Sequence, residues 1–182
     1  MWKTERKVEL LAPAGSMEAL RAAVQNGCDA VYLGGSMFGA RAFANNFDED
    51  EIQEAIAYGV RVFVTVNTLI REEEFEDCVR YVQFLYEHDV DAVIIQDLGL
   101  FSVLRQRFPD MELHASTQMH IHNPQGIRFM ESCGASRVVV PRETPLKEIR
   151  AYAALGVDLE VFVQGALCVS YSGQCLMSSL TL

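Results

Sequence analysis

The amino-acid sequence predicts an α/β protein with the topology of a (β/α)8 TIM-type barrel, truncated after its seventh strand. Seven short runs rich in Val, Ile, Leu or Phe alternate with six amphipathic helical patterns. Such alternation is typical of parallel strands joined by crossover helices. Neither G-x-G-x-x-G nor the P-loop pattern G-x-x-x-x-G-K-S/T follows a predicted strand. An open nucleotide-binding sheet is therefore disfavoured.

The individual elements follow from local composition. Strands are predicted at residues 8–12, 30–34, 62–67, 92–96, 113–117, 137–141 and 159–164. Ser16, Asp48 and Thr144 stand where helix N-caps are expected. Glu51 would complete a capping box with Asp48, and Pro145 falls at the first helical position after Thr144.

A short pattern recurs where each helix passes into the next strand. It consists of Gly or Asp, then a small apolar residue, then a polar or charged residue. It occurs at residues 27–29, 59–61, 89–91, 134–136 and 156–158. Because a glycine here suits the left-handed turn that ends a helix, the repeating unit is one strand plus one helix.

The chain length bears on the domain organisation. A chain of 182 residues is expected to form one domain, whereas a complete barrel of this type takes about 250 residues. We therefore expect residues 1–182 to form a single incomplete barrel, the N-terminal part of a longer protein. The unpaired edges of the first and last strands would be covered by a partner or by oligomerisation.

Charge and composition limit the functional classes. The chain carries 15 Lys and Arg against 25 Asp and Glu, a formal net charge of −10, which disfavours direct binding of nucleic acid by this part of the protein. No apolar run approaches the roughly 18 to 20 residues of a membrane span, and the start lacks a signal-peptide pattern. The sequence therefore predicts a cytoplasmic protein.

Active sites of parallel barrels lie at the carboxyl ends of the strands. Polar residues cluster at those positions and in the long loop 35–47. The predicted substrate-binding residues are Arg41, Asn67, Asp97, His114, Gln118, Arg142 and Gln164. By the two-residue strand period, His114 would point into the barrel. These residues predict a pocket for a small anionic ligand, with Arg142 binding a carboxylate through paired hydrogen bonds.

Three histidines raise a metal hypothesis. His114, His120 and His122 could converge on zinc together with a carboxylate such as Asp97. The alternative is that His120 and His122 lie in an exposed turn ahead of the next helix.

The five cysteines fall into two groups. Cys28, Cys78 and Cys133 occupy positions where a small buried residue is sufficient. Cys168 and Cys175 follow the seventh strand, at the predicted functional end of the barrel. From spacing alone, one of them could be a nucleophile with His114 as its basic partner, or both could be thiolate ligands of iron or zinc.

Segment 160–178 resembles the signature of peptidase family U32, the collagenase-like proteases. The matching positions are Glu160, Phe162, Gly165, Ala166, Leu167, Cys168, Gly173, Cys175, Met177 and Ser178. Residues 9–15, 29–35, 64–67 and 116–118 are also similar to the family. The resemblance therefore covers nearly the whole chain.

The resemblance implies an enzyme of one of two kinds. Family members are associated with hydroxylation of tRNA or ribosomal RNA bases, or of a ubiquinone precursor, with prephenate as a hydroxyl donor. In this case Cys168 and Cys175 would be two of the four ligands of a 4Fe–4S cluster, and RNA would bind through regions outside this sequence. The alternative implied by the family name is a cysteine-dependent or metal-dependent collagenase-like peptidase.

Overall fold

Seven parallel strands form one curled sheet, with a helix following each of the first six. A computed structural model describes residues 8–40, 46–165 and 168–175. The strands are β1 Leu11–Ala14, β2 Ala30–Gly34, β3 Arg61–Val66, β4 Ala92–Ile95, β5 Glu112–Ala115, β6 Arg137–Val139 and β7 Asp158–Glu160. The helices are α1 Met17–Gln25, α2 Glu49–Ile56, α3 Phe75–Glu87, α4 Leu98–Arg107, α5 Pro124–Ser132 and α6 Leu146–Ala153. The strands pair in the order β1 to β7, which confirms the predicted barrel topology.

The two outermost strands differ from their predicted bounds. β1 extends to Ala14 and includes Pro13, which an edge strand tolerates because the missing N–H would face no ladder partner. β7 ends at Glu160 rather than at residue 164. The last bond of its ladder runs from the Val140 N–H to the Glu160 carbonyl, at 2.8 Å. The following residues lose their pairing, and Val163 is 90% exposed.

Four helices begin at a side-chain cap, and two of these caps were predicted. The Ser16 hydroxyl accepts a hydrogen bond from the backbone of α1, and Asp48 forms the predicted capping box of α2 with Glu51. The prediction for Thr144 was wrong. The N-cap of α6 is Pro145, whose ψ of 147° is extended, and no side-chain cap is present. The caps of α4 and α5, provided by Asp97 and Asn123, were not predicted.

The recurring turn pattern has the backbone conformation that its sequence indicates. All five turn residues have positive φ; they are Gly27, Gly59, Asp89, Gly134 and Gly156. The polar residue two positions later often binds the preceding strand. Asp29 accepts a hydrogen bond from the Leu10 N–H at 2.9 Å, and Asp91 accepts one from the Val62 N–H at 2.8 Å. Each such turn therefore joins one βα unit to the unit before it.

The core has an outer and an inner part. The outer part lies between the sheet and the helices and includes Leu20, Val64, Leu85 and Leu104. The inner part is smaller and lies on the concave face of the sheet; its buried members are Ala30, Phe63, Ala92, Ile94 and Val139. Strands covered on both faces account for the near-continuous apolar runs in the sequence. No helix in the described part of the chain is long and apolar enough to cross a membrane.

A layer of charged side chains lies beneath the inner core, and most of its members stand at or just ahead of the amino ends of their strands. We call it the charged floor; it consists of Glu9, Arg61, Glu112, His114, Arg137 and Glu160. The Glu9 carboxylate binds Arg137 Nη1 at 2.6 Å and Arg61 Nη1 at 3.0 Å. Arg61 Nη2 also binds Glu112 Oε2 at 2.8 Å. Since Glu9 precedes β1 and Arg137 lies on β6, the network draws distant strands together into a curled sheet.

The aromatic ring of Phe63 separates the charged floor from the space above it. The guanidinium carbons of Arg61 and Arg137 lie 4.9 and 5.3 Å from the ring centroid, within range of a cation–π interaction. The His114 ring meets Phe63 edge-on at a centroid distance of 4.8 Å. These contacts fix the position of Phe63 between the charged floor and the rest of the inner core.

Arg137→Met should strongly destabilise the fold, because it removes the cation that lies between the Glu9 and Glu160 carboxylates and leaves Arg61 as the remaining partner of Glu9. We expect a loss of about 3 kcal/mol in the free energy of unfolding, measured by urea denaturation. The matched control is Arg21→Met, which removes a half-exposed ion pair with Glu54 and should cost about 1 kcal/mol or less. Equal losses for the two variants would contradict a structural role for the charged floor.

Glu160 makes stability depend on pH. Burial raises the pKa of Glu160 to about 7, the charge of Arg137 opposes the rise, and Glu9 adds to it. Oε2 lies 4.0 Å from Arg137 Nη1. Because the unfolded carboxyl, with a pKa near 4.5, loses its proton first, stability due to this group falls as the pH rises from about 4.5 to 7.

Glu160→Gln should remove that decline. We expect the variant to exceed the wild type in free energy of unfolding by about 3 kcal/mol at roughly pH 8 and to match it near pH 4. The exposed control Glu18→Gln should follow the wild type at both values. A constant difference between Glu160→Gln and the wild type across this range would refute the assignment.

Candidate functional site

A cavity of about 620 Å³ opens at the carboxyl ends of the strands. Its walls come from residues within β1, β2 and β3 and from residues that follow β2, β3, β5, β6 and β7, so the strand ends position the lining side chains. The polar members of the lining include Asn46, Thr65, Asn67, Thr117, Gln118, Arg142, Gln164 and Ser172, and the apolar members include Pro13, Tyr32, Phe162 and Val163. A cavity of this size fits a small molecule with both apolar and hydrogen-bonding groups.

Two amide side chains form one wall of the cavity. Asn67 Nδ2 donates to Gln118 Oε1 at 2.7 Å, and the Ser116 hydroxyl donates to the same oxygen at 2.7 Å. The Asn67 Oδ1 accepts a bond from the Ala40 N–H at 3.0 Å. Both amide oxygens are therefore engaged within the described residues. In the described part of the chain, the side-chain N–H groups of Gln118 and the second N–H of Asn67 are available to a ligand.

Arg142 provides the positive charge at the cavity. It follows β6, and both its backbone N–H and its Nε lie near the Ser172 hydroxyl oxygen, at 3.3 and 3.4 Å. A guanidinium held in this way can bind a carboxylate or another small anion through its remaining N–H groups.

Residues 168–175, which we call the cysteine segment, run past Arg142. A hydrogen bond from the Ser170 N–H to the Cys168 sulfur, at 3.4 Å, is the main influence that lowers the pKa of this thiol. Hydrogen bonding from the Cys175 thiol and, more weakly, from Arg142 acts in the same direction. Both cysteines are exposed. The pKa of Cys168 is therefore sensitive to both Cys175 and Arg142.

Four of the predicted substrate-binding residues lie together. Asn67, Gln118, Arg142 and Gln164 all line the cavity. Sequence reasoning missed Ser172 and Thr117, which also line it. Ser172 offered no signal because it falls at one of the unspecified positions of the signature, and Thr117 had been included in a predicted strand.

The other three predicted residues do not line the cavity in the part of the chain that the structure describes. Asp97 is the N-cap of α4, where its Oδ1 accepts from the Leu100 N–H at 2.8 Å. Its Oδ2 accepts from the Ile70 N–H at 3.3 Å, so both oxygens are engaged by backbone. His114 points into the barrel as predicted, but it is fully buried in the charged floor. Arg41 lies outside the described residues.

The three histidines lie at different levels of the barrel. His114 Nε2 contacts Glu112 Oε2 at 3.3 Å in the charged floor. His120 contacts Gln174, and His122 lies 3.5 Å from Glu143 Oε1. Across the described ranges, no three His, Cys, Asp or Glu side chains are arranged to hold a metal ion. The predicted convergence on zinc is therefore not seen among these residues.

Cys168 should react with iodoacetamide faster than the buried cysteines. Its pKa is lowered by hydrogen bonds from Ser170 and Cys175, whereas burial raises the pKa of Cys78 to about 12 and also raises that of Cys28. The check is alkylation of the folded protein at roughly pH 7.5, with each site quantified by peptide mass spectrometry. Cys175→Ser should slow the labelling of Cys168. Labelling of Cys78 at the same rate as Cys168 would contradict this account.

Comparisons with known proteins agree with the sequence resemblance. The chain is 42% identical over 183 positions to the 23S rRNA 5-hydroxycytidine C2501 synthase of Escherichia coli K12, covering 98% of this chain and 27% of that protein. It is 37% identical over 179 positions to the tRNA hydroxylation protein P1 of Bacillus subtilis 168, covering 96% of this chain and 42% of that protein. The chain thus spans less than half the length of each of these relatives.

The fold is also similar to a solved structure named the U32 peptidase Mk0906. The TM-score is 0.71 at 17% sequence identity, with 88% of this chain and 70% of that chain covered. The sequence profile described as Peptidase family U32 matches residues 15–182. The signature around the cysteine segment, the barrel topology and this match agree, and the chain belongs to peptidase family U32.

Proposed function

We propose that this chain is the barrel part of an enzyme that hydroxylates an RNA base or a quinone precursor. The observation that carries the proposal is that the cysteine segment lines the same cavity as Arg142, through Ser172 and Gly173. The segment carries two sulfurs suited to a metal centre, and Arg142 is a cation suited to a small anionic ligand. The names of the relatives, a hydroxycytidine synthase and a tRNA hydroxylation protein, favour the RNA base as the substrate.

The cysteine pair fits one half of an iron–sulfur site. Clusters of the 4Fe–4S type are held by four cysteine thiolates, and a lowered pKa favours the thiolate of Cys168. The exposed sulfurs of Cys168 and Cys175 are accessible to a cluster, and two more ligands would come from residues outside those described. When bound, such a cluster supplies electron-transfer chemistry.

The cavity is proposed to bind the hydroxyl donor. The Arg142 guanidinium would bind a carboxylate, and the side-chain N–H groups of Gln118 would donate to a second acceptor on the same ligand. Prephenate, a small molecule with two carboxylates, has the required chemistry. Tyr32 and Phe162 would pack against its ring, because both side chains line the cavity.

The macromolecular substrate would bind elsewhere on the full-length protein. A formal net charge of −10 gives this chain little attraction for phosphates, so RNA contacts are assigned to other parts of the enzyme. The free edges of β1 and β7 would be covered by those parts or by a partner chain. We assign the protein to the cytoplasm, where RNA modification and reduced thiols are both expected.

A second candidate is a cysteine-dependent or metal-dependent peptidase. The family description and the name of the related structure favour it, as does the lowered pKa of Cys168, since a thiolate is the nucleophilic form. A cysteine nucleophile also needs a general base within hydrogen-bonding reach. The groups that interact with Cys168 in the described segment are Ser170, Cys175 and Arg142, and none of them is a histidine. We therefore place this candidate second.

The test uses the full-length protein after anaerobic reconstitution with iron and sulfide. Cys168→Ala and Cys175→Ala should each lower bound iron severalfold, because each removes a thiolate ligand. Cys133→Ala is the matched control, since this cysteine ends α5 away from the cavity, and it should retain wild-type iron. Unchanged iron in Cys168→Ala, together with loss of collagen-peptide cleavage in that variant, would replace the hydroxylase proposal with the peptidase.

A further inference from the structure

We propose that Glu143 and Ser172 are positioning residues that hold the Arg142 guanidinium at the cavity and the cysteine segment beside it. The inference rests on the proposed function, in which Arg142 binds the anionic group of the ligand. Neither residue belongs to the fixed positions of the family signature. Their role is derived from the hydrogen bonds that join the end of β6 to the cysteine segment.

Ser172 is buried although its neighbours are not. It is 1% exposed, whereas the preceding Tyr171 is 68% exposed. Its backbone N–H donates to Glu143 Oε1 at 3.0 Å, and its hydroxyl donates to Glu143 Oε2 at 2.8 Å. One carboxylate thus binds both donors of a single residue, an arrangement that fixes the position and the orientation of Ser172.

The direction of these bonds determines how Arg142 is held. A hydroxyl has one proton, and the proton of Ser172 is directed to the Glu143 carboxylate. The lone pairs of its oxygen therefore accept from the backbone N–H and the Nε–H of Arg142, at 3.3 and 3.4 Å. With Nε engaged by Ser172, a carboxylate would bind through the Nη groups of the guanidinium.

Glu143 is suited to act as a charged acceptor. Burial opposes its ionisation, but the backbone N–H and hydroxyl of Ser172 and the nearby His122 together lower the pKa of Glu143 below its usual value. His122 Nε2 lies 3.5 Å from Oε1. The carboxylate is therefore ionised at neutral pH, and a hydrogen bond to a charged acceptor is stronger than one to a neutral acceptor.

A second contact fixes the cysteine segment next to Ser172. Gly173 has a φ of +76°, and a Cβ at this position would lie 2.3 Å from His120 Nε2 and 2.9 Å from the Gln118 Cα. The segment thus packs directly on the chain that follows β5. Ser172 lies between this close contact and Arg142, so loss of its hydroxyl would free the guanidinium without removing the other attachment of the segment.

The experiment measures binding of inorganic sulfate to the full-length protein by isothermal titration calorimetry. Sulfate stays doubly charged over the working pH range and reports on the Arg142 guanidinium. Ser172→Ala should weaken sulfate binding about tenfold, because the guanidinium loses its anchor. Ser172→Thr keeps the hydroxyl and should restore most of the affinity. Ser136→Ala is the matched control, since it removes a hydroxyl that binds the Leu113 carbonyl in the β5–β6 pairing, and it should bind sulfate as the wild type does.

A second measurement separates positioning from general loss of structure. The pH dependence of Cys168 alkylation should move to higher pH in Ser172→Ala, because Arg142 no longer approaches the thiol, while Ser136→Ala leaves it unchanged. If Ser172→Ala does not fold, Glu143→Gln is used instead, and it should weaken sulfate binding severalfold. Unchanged affinity and an unchanged alkylation profile in these variants would overturn the inference.

Arg142→Ala distinguishes this inference from the proposed function. If Arg142→Ala binds sulfate as tightly as the wild type, the anion site of the proposed function is wrong and the inference fails with it. If Arg142→Ala loses binding while Ser172→Ala and Glu143→Gln keep it, the anion site stands and only the positioning role is wrong.

Discussion

The shared carboxylate of Glu9 is the interaction on which the architecture of this half-barrel depends. It joins Arg61 on β3 to Arg137 on β6, so the chain ahead of the first strand is linked to strands far along the sequence. Buried charges are stable only when they are paired and hydrogen-bonded. The same two guanidinium groups support the ring of Phe63 from below, and the ligand cavity opens above this layer. The charged floor thus sets the curvature of the sheet and the depth of the site.

Much of the fold could be predicted from sequence because its signals are local. Apolar runs, helix caps and the repeated turn each depend on neighbouring residues, and all seven strands were found in their predicted order. The errors occurred where tertiary context decides. β7 is shorter than predicted because pairing with β6 stops at Glu160, and Thr144 is not a cap because Pro145 takes an extended backbone before α6 begins. Local composition specifies neither where the β6–β7 pairing stops nor the extended backbone of Pro145.

The candidate site was predictable as a region but less so in its details. Strand-end positions correctly indicated Asn67, Gln118 and Arg142 as neighbours, since parallel strands bring their carboxyl ends to one face of the barrel. The same rule misassigned Asp97, whose position after β4 is also the first position of a helix, where a carboxylate caps backbone N–H groups. The two-residue strand period correctly predicted that His114 faces the barrel interior. It could not predict the depth of His114, because this period does not specify how far along the barrel axis a side chain lies. The role of Ser172 could be inferred only from the structure, in which it forms hydrogen bonds with both Glu143 and Arg142.

The turn contacts of Asp29 and Asp91 bear on how the chain assembles. Each binds the strand that precedes it in sequence, so every added βα unit makes its principal contacts with its immediate predecessor. Short chain separations are closed at small entropic cost, and rapid formation is typical of structures rich in local contacts. The pairing of Glu9 with Arg137 spans 128 positions. Closing this loop therefore costs more conformational entropy than closing the short loops between neighbouring βα units. We therefore expect the sheet to grow progressively from one unit to the next, with its final curvature acquired only when this distant ion pair closes.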